Sequence, residues 1–95
     1  MIVSHMITWD ENKRRTNLAK QGIDFAHCAV IFDSPLVTEE DDRLAYGEQR
    51  LRSLGLFYGV VVREVWVDRG EAAPLISVRK ATRYEQRAYW QTRSG

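Results

Sequence analysis

The chain has a single cysteine, Cys28, in 95 residues, only two prolines, and no apolar run near the roughly 18 residues that a membrane-spanning helix needs. One cysteine makes no intramolecular disulfide, and the Cys and His spacing of a zinc finger or ribbon is absent. The two histidines, His5 and His27, stand far apart without ligand-type neighbours, so no metal and no other cofactor is expected. Met1-Ile2-Val3-Ser4-His5-Met6 has no basic segment leading into a long apolar one, and a secretory leader is not expected. Repeats, low-complexity tracts, Pro/Gly/Ser linkers, P-loops, Rossmann glycines and nucleophile elbows are all missing. The expectation is one small cytoplasmic domain over residues 1–95, with no membrane partner.

What is present is ordinary globular material: 44% hydrophobic and 28% charged residues exclude collagen-like, coiled-coil and wholly disordered chains. Fourteen basic residues against thirteen acidic ones give a net charge of +1, which says nothing about partners. The distribution says more. Residues 33–48 carry six acids and one base, whereas residues 79–95 carry five bases and one acid. Such segregation points either to a basic surface facing something anionic or to a solvated C-terminal helix.

Met6 to Trp9 reads as a strand. Asp10 suits an N-cap for a helix ending at Gln21, with Gly22 just beyond it. Asp24 suits a second N-cap, before an apolar stripe of Phe25, Ala29 and Phe32 that Ser34-Pro35 ends. Thr38 to Tyr46 is acidic and without period, and reads as an exposed loop. Strands are expected at Gln49–Leu56, Val60–Val67 and Leu75–Arg79, separated by turns near Gly59 and at Asp68-Arg69-Gly70-Glu71. Short connections favour antiparallel pairing. Thr82 and Glu85 match a capping box opening a last helix to about Arg93. The order β-α-α-β-β-β-α makes an α+β fold, an antiparallel sheet packed against helices.

Alternation puts Arg50 and Arg52 on one face of their strand, and Ser77 and Arg79 on one face of theirs, with Ile76 and Val78 turned to the core. If the two faces coincide they present a cluster of guanidiniums suited to phosphate oxygens. Arg83 and Arg87 add an i, i+4 pair on the last helix, with Trp90 one turn on, a pattern able to hold phosphates and stack an unpaired base. The ordinary alternative is surface pairing with carboxylates. Glu48, two residues before Arg50, is the best acid/base candidate, or else a plain partner for an arginine. Lys13, Asn17 and Lys20 form a polar stripe on the first helix. Trp9 and Cys28 read as core residues. Tyr84, with Ala81 and Ala88, reads as packing of the last helix on the sheet, and Tyr89 and Trp90 are the other aromatics to watch.

At these residues the chain resembles the BrnT family, toxins of the BrnT/BrnA type II toxin–antitoxin systems. The resemblance runs through Trp9-Asp10, Lys13, Asn17, Lys20, Gly22-Ile23 and Phe25, then Phe32-Asp33-Ser34-Pro35, Gly47-Glu48-Gln49-Arg50 and Leu54-Gly55. Its most specific block is Ile76 to Arg87, with Tyr89 after it. Gln21 stands where the family usually has His, and Val78 where it usually has Ala. The resemblance implies a RelE-like fold and a metal-independent endoribonuclease that stops translation by cutting RNA. It also implies a BrnA-like antitoxin carrying a DNA-binding domain, so that DNA is reached only through the partner. In such an enzyme the RNA supplies its own 2′-hydroxyl nucleophile. Arg50, Arg79 and Arg83 would stabilise the charged transition state, at about 3–4 kcal/mol per well-placed donor. Glu48 or Lys13 would assist proton transfer, at about 10²-fold each. Lys20, Arg52, Ser77, Lys80 and Arg87 would hold the RNA. The competing readings are an RNA- or protein-binding module that does not cut, and a DNA-binding regulator, which the lack of a recognition helix disfavours.

Overall fold

Val60–Val67, the most β-branched stretch of the chain, forms the central strand of a five-stranded sheet. The structure is a computed structural model, and it describes residues 6–41 and 47–94. The chain runs through β1 (Met6–Trp9), α1 (Glu11–Gln21), a 3-10 turn (Phe25–His27), α2 (Ala29–Phe32), β2 (Val37–Asp41), β3 (Arg50–Phe57), β4 (Val60–Val67), β5 (Ala72–Lys80) and α3 (Arg83–Ser94). The sheet order is β1-β5-β4-β3-β2. This is an α+β fold, a mixed sheet with three helices, compatible with a BrnT/RelE-like toxin.

Tyr58 and Gly59 both take positive φ, 49° and 83°, the backbone that a two-residue hairpin turn matched to strand twist demands. That turn fixes the β3–β4 register from Phe57↔Val60 down to Arg50↔Val67. The expected N-caps hold: Asp10 accepts from the N–H groups of Asn12 and Lys13, and Asp24 from that of Ala26. The capping box is closed in both directions, Thr82 N–H to Glu85 and Glu85 N–H to the Thr82 hydroxyl.

Several expectations change. The acidic stretch is not all loop, because Val37–Asp41 pairs with β3 as an edge strand. Charged residues suit an edge, where they discourage further pairing, and here Glu39 lies opposite Arg52 and Asp41 opposite Arg50. Positions 42–46 of that stretch, like residues 1–5 with His5, lie outside the described residues. The sheet is also not wholly antiparallel: β1 pairs parallel with β5, Met6↔Ala72 to Trp9↔Leu75. Finally, the buried stripe after Asp24 is Phe25, Cys28 and Ile31, whereas Ala29 is exposed and Phe32 half-buried. A 3-10 turn precedes α2, and its tighter winding brings i and i+3 onto one side.

The core on this face joins Phe25, Cys28 and Ile31 to Val62, Trp66, Leu75 and Val78. Gly55 lets α2 lie directly on β3, because a Cβ there would sit 2.7 Å from Leu36 Cδ2 and 2.9 Å from Ile31 Cγ2. Trp9 is 37% exposed and is no core anchor. Ile76 does not follow Val78 into the core either. The register shifts between Val65↔Ser77 and Trp66↔Leu75, leaving Ile76 as the extra residue of a bulge, half-buried beside α1.

α1 buries almost nothing apolar and is fastened by polar contacts. Asn17, its one buried residue, donates to Ile23 O and accepts from Val78 N–H, both at 2.9 Å. β1 ends opposite Leu75, so Asn17 serves the β5 backbone where no strand reaches it. Arg14 adds a two-pronged bond to Asp24 at 2.8 and 3.0 Å. On the opposite face of the sheet, Tyr89 of α3 packs with Val61 and Ala81 against Val37, Leu54 and Leu56. Its hydroxyl donates to Pro35 O at 2.8 Å. Among the described residues no helix is long and apolar enough to cross a membrane.

The central strand carries one conflict. Glu64 is fully buried, and both carboxyl oxygens lack a hydrogen-bond partner among the described residues. Burial disfavours its ionised form and pushes its pKa up to about 8 from the ordinary 4.5. The folded state therefore holds this proton more tightly than the unfolded chain. Its contribution to stability is complete below pH 4.5 and declines as the pH rises to about 8, with a slope approaching ~1.4 kcal/mol per pH unit. Denaturant titrations across that window are expected to show this decline in the wild type and a nearly flat profile for Glu64→Gln; equal slopes would contradict the assignment.

Candidate active site

Three arginines meet on the sheet face that carries α3. The registers align Val37, Leu54, Arg63 and Arg79 in one row across β2 to β5, and Glu39, Arg52, Val65 and Ser77 in the next. The faces bearing Arg52 and Arg79 thus coincide, as alternation anticipates, and Arg63 of the central strand stands between them. α3 covers the Val61–Leu54–Leu56 end of this face and leaves a cleft of about 520 Å³ beside it. Arg52, Arg63, Arg79, Tyr84 and Glu85 line the cleft, over a floor that includes Leu54.

Glu85 organises the charges. Its two oxygens accept from both terminal nitrogens of Arg79, at 2.8 and 3.0 Å, and Oε2 also lies 3.8 Å from Arg63 Nε. One of the same oxygens accepts the capping N–H of Thr82 at 2.8 Å. The Arg79 guanidinium, followed by the Thr82 backbone, holds this carboxyl at about 2, well below its usual 4.5, against the opposing effect of partial burial. Arg79 also donates to Lys80 O at 3.0 Å, and Arg52 pairs with Glu39 at 3.0 Å. Arg63 is the least exposed of the three arginines, with 13% of its side chain accessible. The cleft therefore holds three permanent cations, each within 4 Å of a carboxylate: Arg52 of Glu39, and Arg63 and Arg79 of Glu85. This is a fork arrangement suited to phosphate oxygens.

The other residues singled out from the sequence fall in different places. Arg50 lies one row further along the same face, opposite Asp41 and Val67. Glu48 does not share its strand face, because β3 begins at Arg50. Glu48 instead grips Arg69 at 2.6 and 2.9 Å on the exposed surface, which lowers its pKa. Lys80, Arg83 and Arg87 are exposed and do not line the cleft. Lys13 and Lys20 border a separate groove along α1, with Ser77 and Ile76 in its wall. Cys28 is a core thiol, pushed up to about 12 by burial.

Sequence reasoning missed Arg63, Glu85 and Tyr84. Arg63 is hidden in a run of valines, and the capping box accounts for Glu85 without reference to the sheet. Tyr84 does not pack as expected: it is 80% exposed, and Tyr89 is the buried aromatic.

A family of ribonuclease toxins, BrnT, of type II toxin–antitoxin systems, matches residues 9–85 of this chain. The chain belongs to the BrnT family. No curated protein matches it. Membership makes it an endoribonuclease toxin with an antitoxin as partner. The matched span contains every cleft arginine together with Tyr84 and Glu85, and ends before Arg87 and Tyr89. Among the described residues of this BrnT-family chain, no group of three His, Cys, Asp or Glu side chains is placed to hold a metal ion.

Because its folded pKa is depressed, Glu85 contributes stability that is present above pH 4.5 and lost as the pH falls through about 2. Thermal melts over that acid range are expected to show a shallower loss for Glu85→Gln than for the wild type. Parallel acid limbs would mean that the pair with Arg79 does not form in solution.

Proposed function

We propose that this toxin cuts RNA in the arginine cleft without a metal, and that the loss of intact RNA stops translation. The observation that carries the reading is the convergence of Arg52, Arg63 and Arg79 on one sheet face beside an open cleft. The RNA 2′-oxygen attacks the adjacent phosphorus and the bond from phosphorus to the 5′-oxygen breaks. The products are a 2′,3′-cyclic phosphate and a 5′-hydroxyl; the proton leaves the 2′-oxygen, and the departing 5′-oxygen takes one up. Negative charge grows on the phosphoryl oxygens as this happens. Fixed guanidiniums aimed at those oxygens stabilise the transition state more than the ground state. Glu85, held near 2, is a poor proton acceptor. The rate enhancement in this reading therefore rests on orientation and charge stabilisation, with solvent carrying the protons.

The outlying cations extend the reading. Lys80, Arg83 and Arg87, and the groove residues Lys13, Lys20 and Ser77, would guide RNA phosphates toward the cleft, with Arg50 at its far end. Among them, Arg83 and Arg87 have no ion-pair partner among the described residues, which leaves them available to phosphates. The antitoxin would be a BrnA-like protein that covers this face and carries its own DNA-binding domain, so the toxin meets DNA only through its partner. The whole chain would act as a single toxin domain in the cytoplasm.

The test is incubation of purified protein with RNA in EDTA, alongside Arg79→Ala and Arg63→Ala. The wild type is expected to cut, with each variant slower by about 10²–10³-fold and still folded by circular dichroism. Cutting by all three would place the site elsewhere. RNA retention without cutting would identify a binding module instead.

A further inference from the structure

Tyr84 is the most exposed of the large hydrophobic side chains among the described residues, at 80%. It makes no hydrogen bond and no aromatic contact among the described residues, so the fold gains little from it. Yet its position is set with care. It is the second residue of α3, immediately before Glu85, whose carboxylate grips Arg79, and it stands at the wall of the cleft that holds Arg52 and Arg63. The α3 residues that line the same cleft beyond it are Ala88 and Thr92, neither of them a large side chain. A flat, exposed aromatic next to a phosphate-binding fork fits a nucleobase whose own phosphate sits in the fork.

Resting on the reading of the cleft as the RNA site, we propose that Tyr84 is a substrate-positioning residue whose ring stacks on an unpaired nucleobase beside the scissile phosphate. The substrate class that follows is single-stranded RNA. In a duplex both faces of each base are occupied by its neighbours, and no ring can reach them without unstacking the helix. Stacking is tolerant of base identity, because every base has a π-face. The contact therefore selects strandedness over sequence. It needs the ring and not the hydroxyl.

The experiment compares cleavage in EDTA of one oligoribonucleotide, single-stranded and annealed to its complement, by wild type, Tyr84→Phe and Tyr84→Ala. The wild type is expected to cut the single strand at least about tenfold faster than the duplex. Tyr84→Phe is expected to stay within about threefold of it. Tyr84→Ala is expected to lose roughly 5- to 150-fold in kcat/KM on the single strand, the range that base–aromatic stacking implies, with an unchanged melting temperature. Three results would overturn the proposal: Tyr84→Ala cutting like the wild type, Tyr84→Phe failing as badly as Tyr84→Ala, or equal wild-type rates on both substrates. In each of these the wild type still cuts and the cleft keeps its assignment. A wild type that cuts neither substrate removes the cleft reading and this proposal together.

Discussion

The Glu85 carboxylate is the contact on which the candidate site depends. It closes the first turn of α3 through Thr82, and with the same oxygens it holds Arg79 at the end of β5 and approaches Arg63 on the central strand. One side chain thus ties the start of a helix to two strands and sets the direction of a guanidinium fork. Tyr89, one turn further on, fixes the rest of α3 by burying its ring and bonding Pro35 O. Between these two anchors the helix is held against one end of the sheet face only. The uncovered part is the cleft.

The opposite face of the sheet supplies the rigidity this arrangement needs. There α2 lies against Gly55, and the β5 backbone is completed by Asn17 rather than by another strand. Leaving Val78 N–H and Ile23 C=O without Asn17 would cost about 1–3 kcal/mol for each buried group, a large fraction of what a domain of this size has to spare. Glu64 works in the other direction, as a buried acid without a hydrogen-bond partner among the described residues, in the middle of the same core. The two faces therefore differ in kind: one is a packed core that encloses a buried acid, the other a half-covered platform of charge.

Much of the fold was legible because its signals are local. Asp10, Asp24, Thr82 with Glu85, and the turn near Gly59 each act within a few residues, and all four expectations agree with the structure. β2 was not legible, since Thr38 to Asp41 has strand character only through its neighbour: its charges make sense once Arg50 and Arg52 lie opposite. The parallel pairing of β1 depends on a partner 66 residues away in sequence, Met6 with Ala72. In the site, alternation put Arg52 and Arg79 on one face, but Arg63 needed register. Counting back from the Tyr58-Gly59 turn places Arg63 opposite Leu54; setting it beside Arg79 also requires the bulge at Ile76, which leaves no sequence signature. Tyr84 and Tyr89 were exchanged because α3 carries too few apolar residues to choose between neighbouring stripes. The choice is made by Pro35 and the β3 leucines, which only the folded chain brings near.

The central claim is that the reacting phosphate of the RNA is held by the guanidinium cleft beside α3 and not by the lysine groove along α1. The most direct measurement is an NMR titration with a short single-stranded oligonucleotide carrying a 2′-deoxy sugar at the target site, which binds but has no nucleophile there. The account predicts that the largest shifts fall on the side-chain Nε–H signals of Arg52, Arg63 and Arg79 and on the Tyr84 ring. Shifts concentrated on Lys13, Asn17, Lys20 and Ser77, with the arginine signals unmoved, would contradict it.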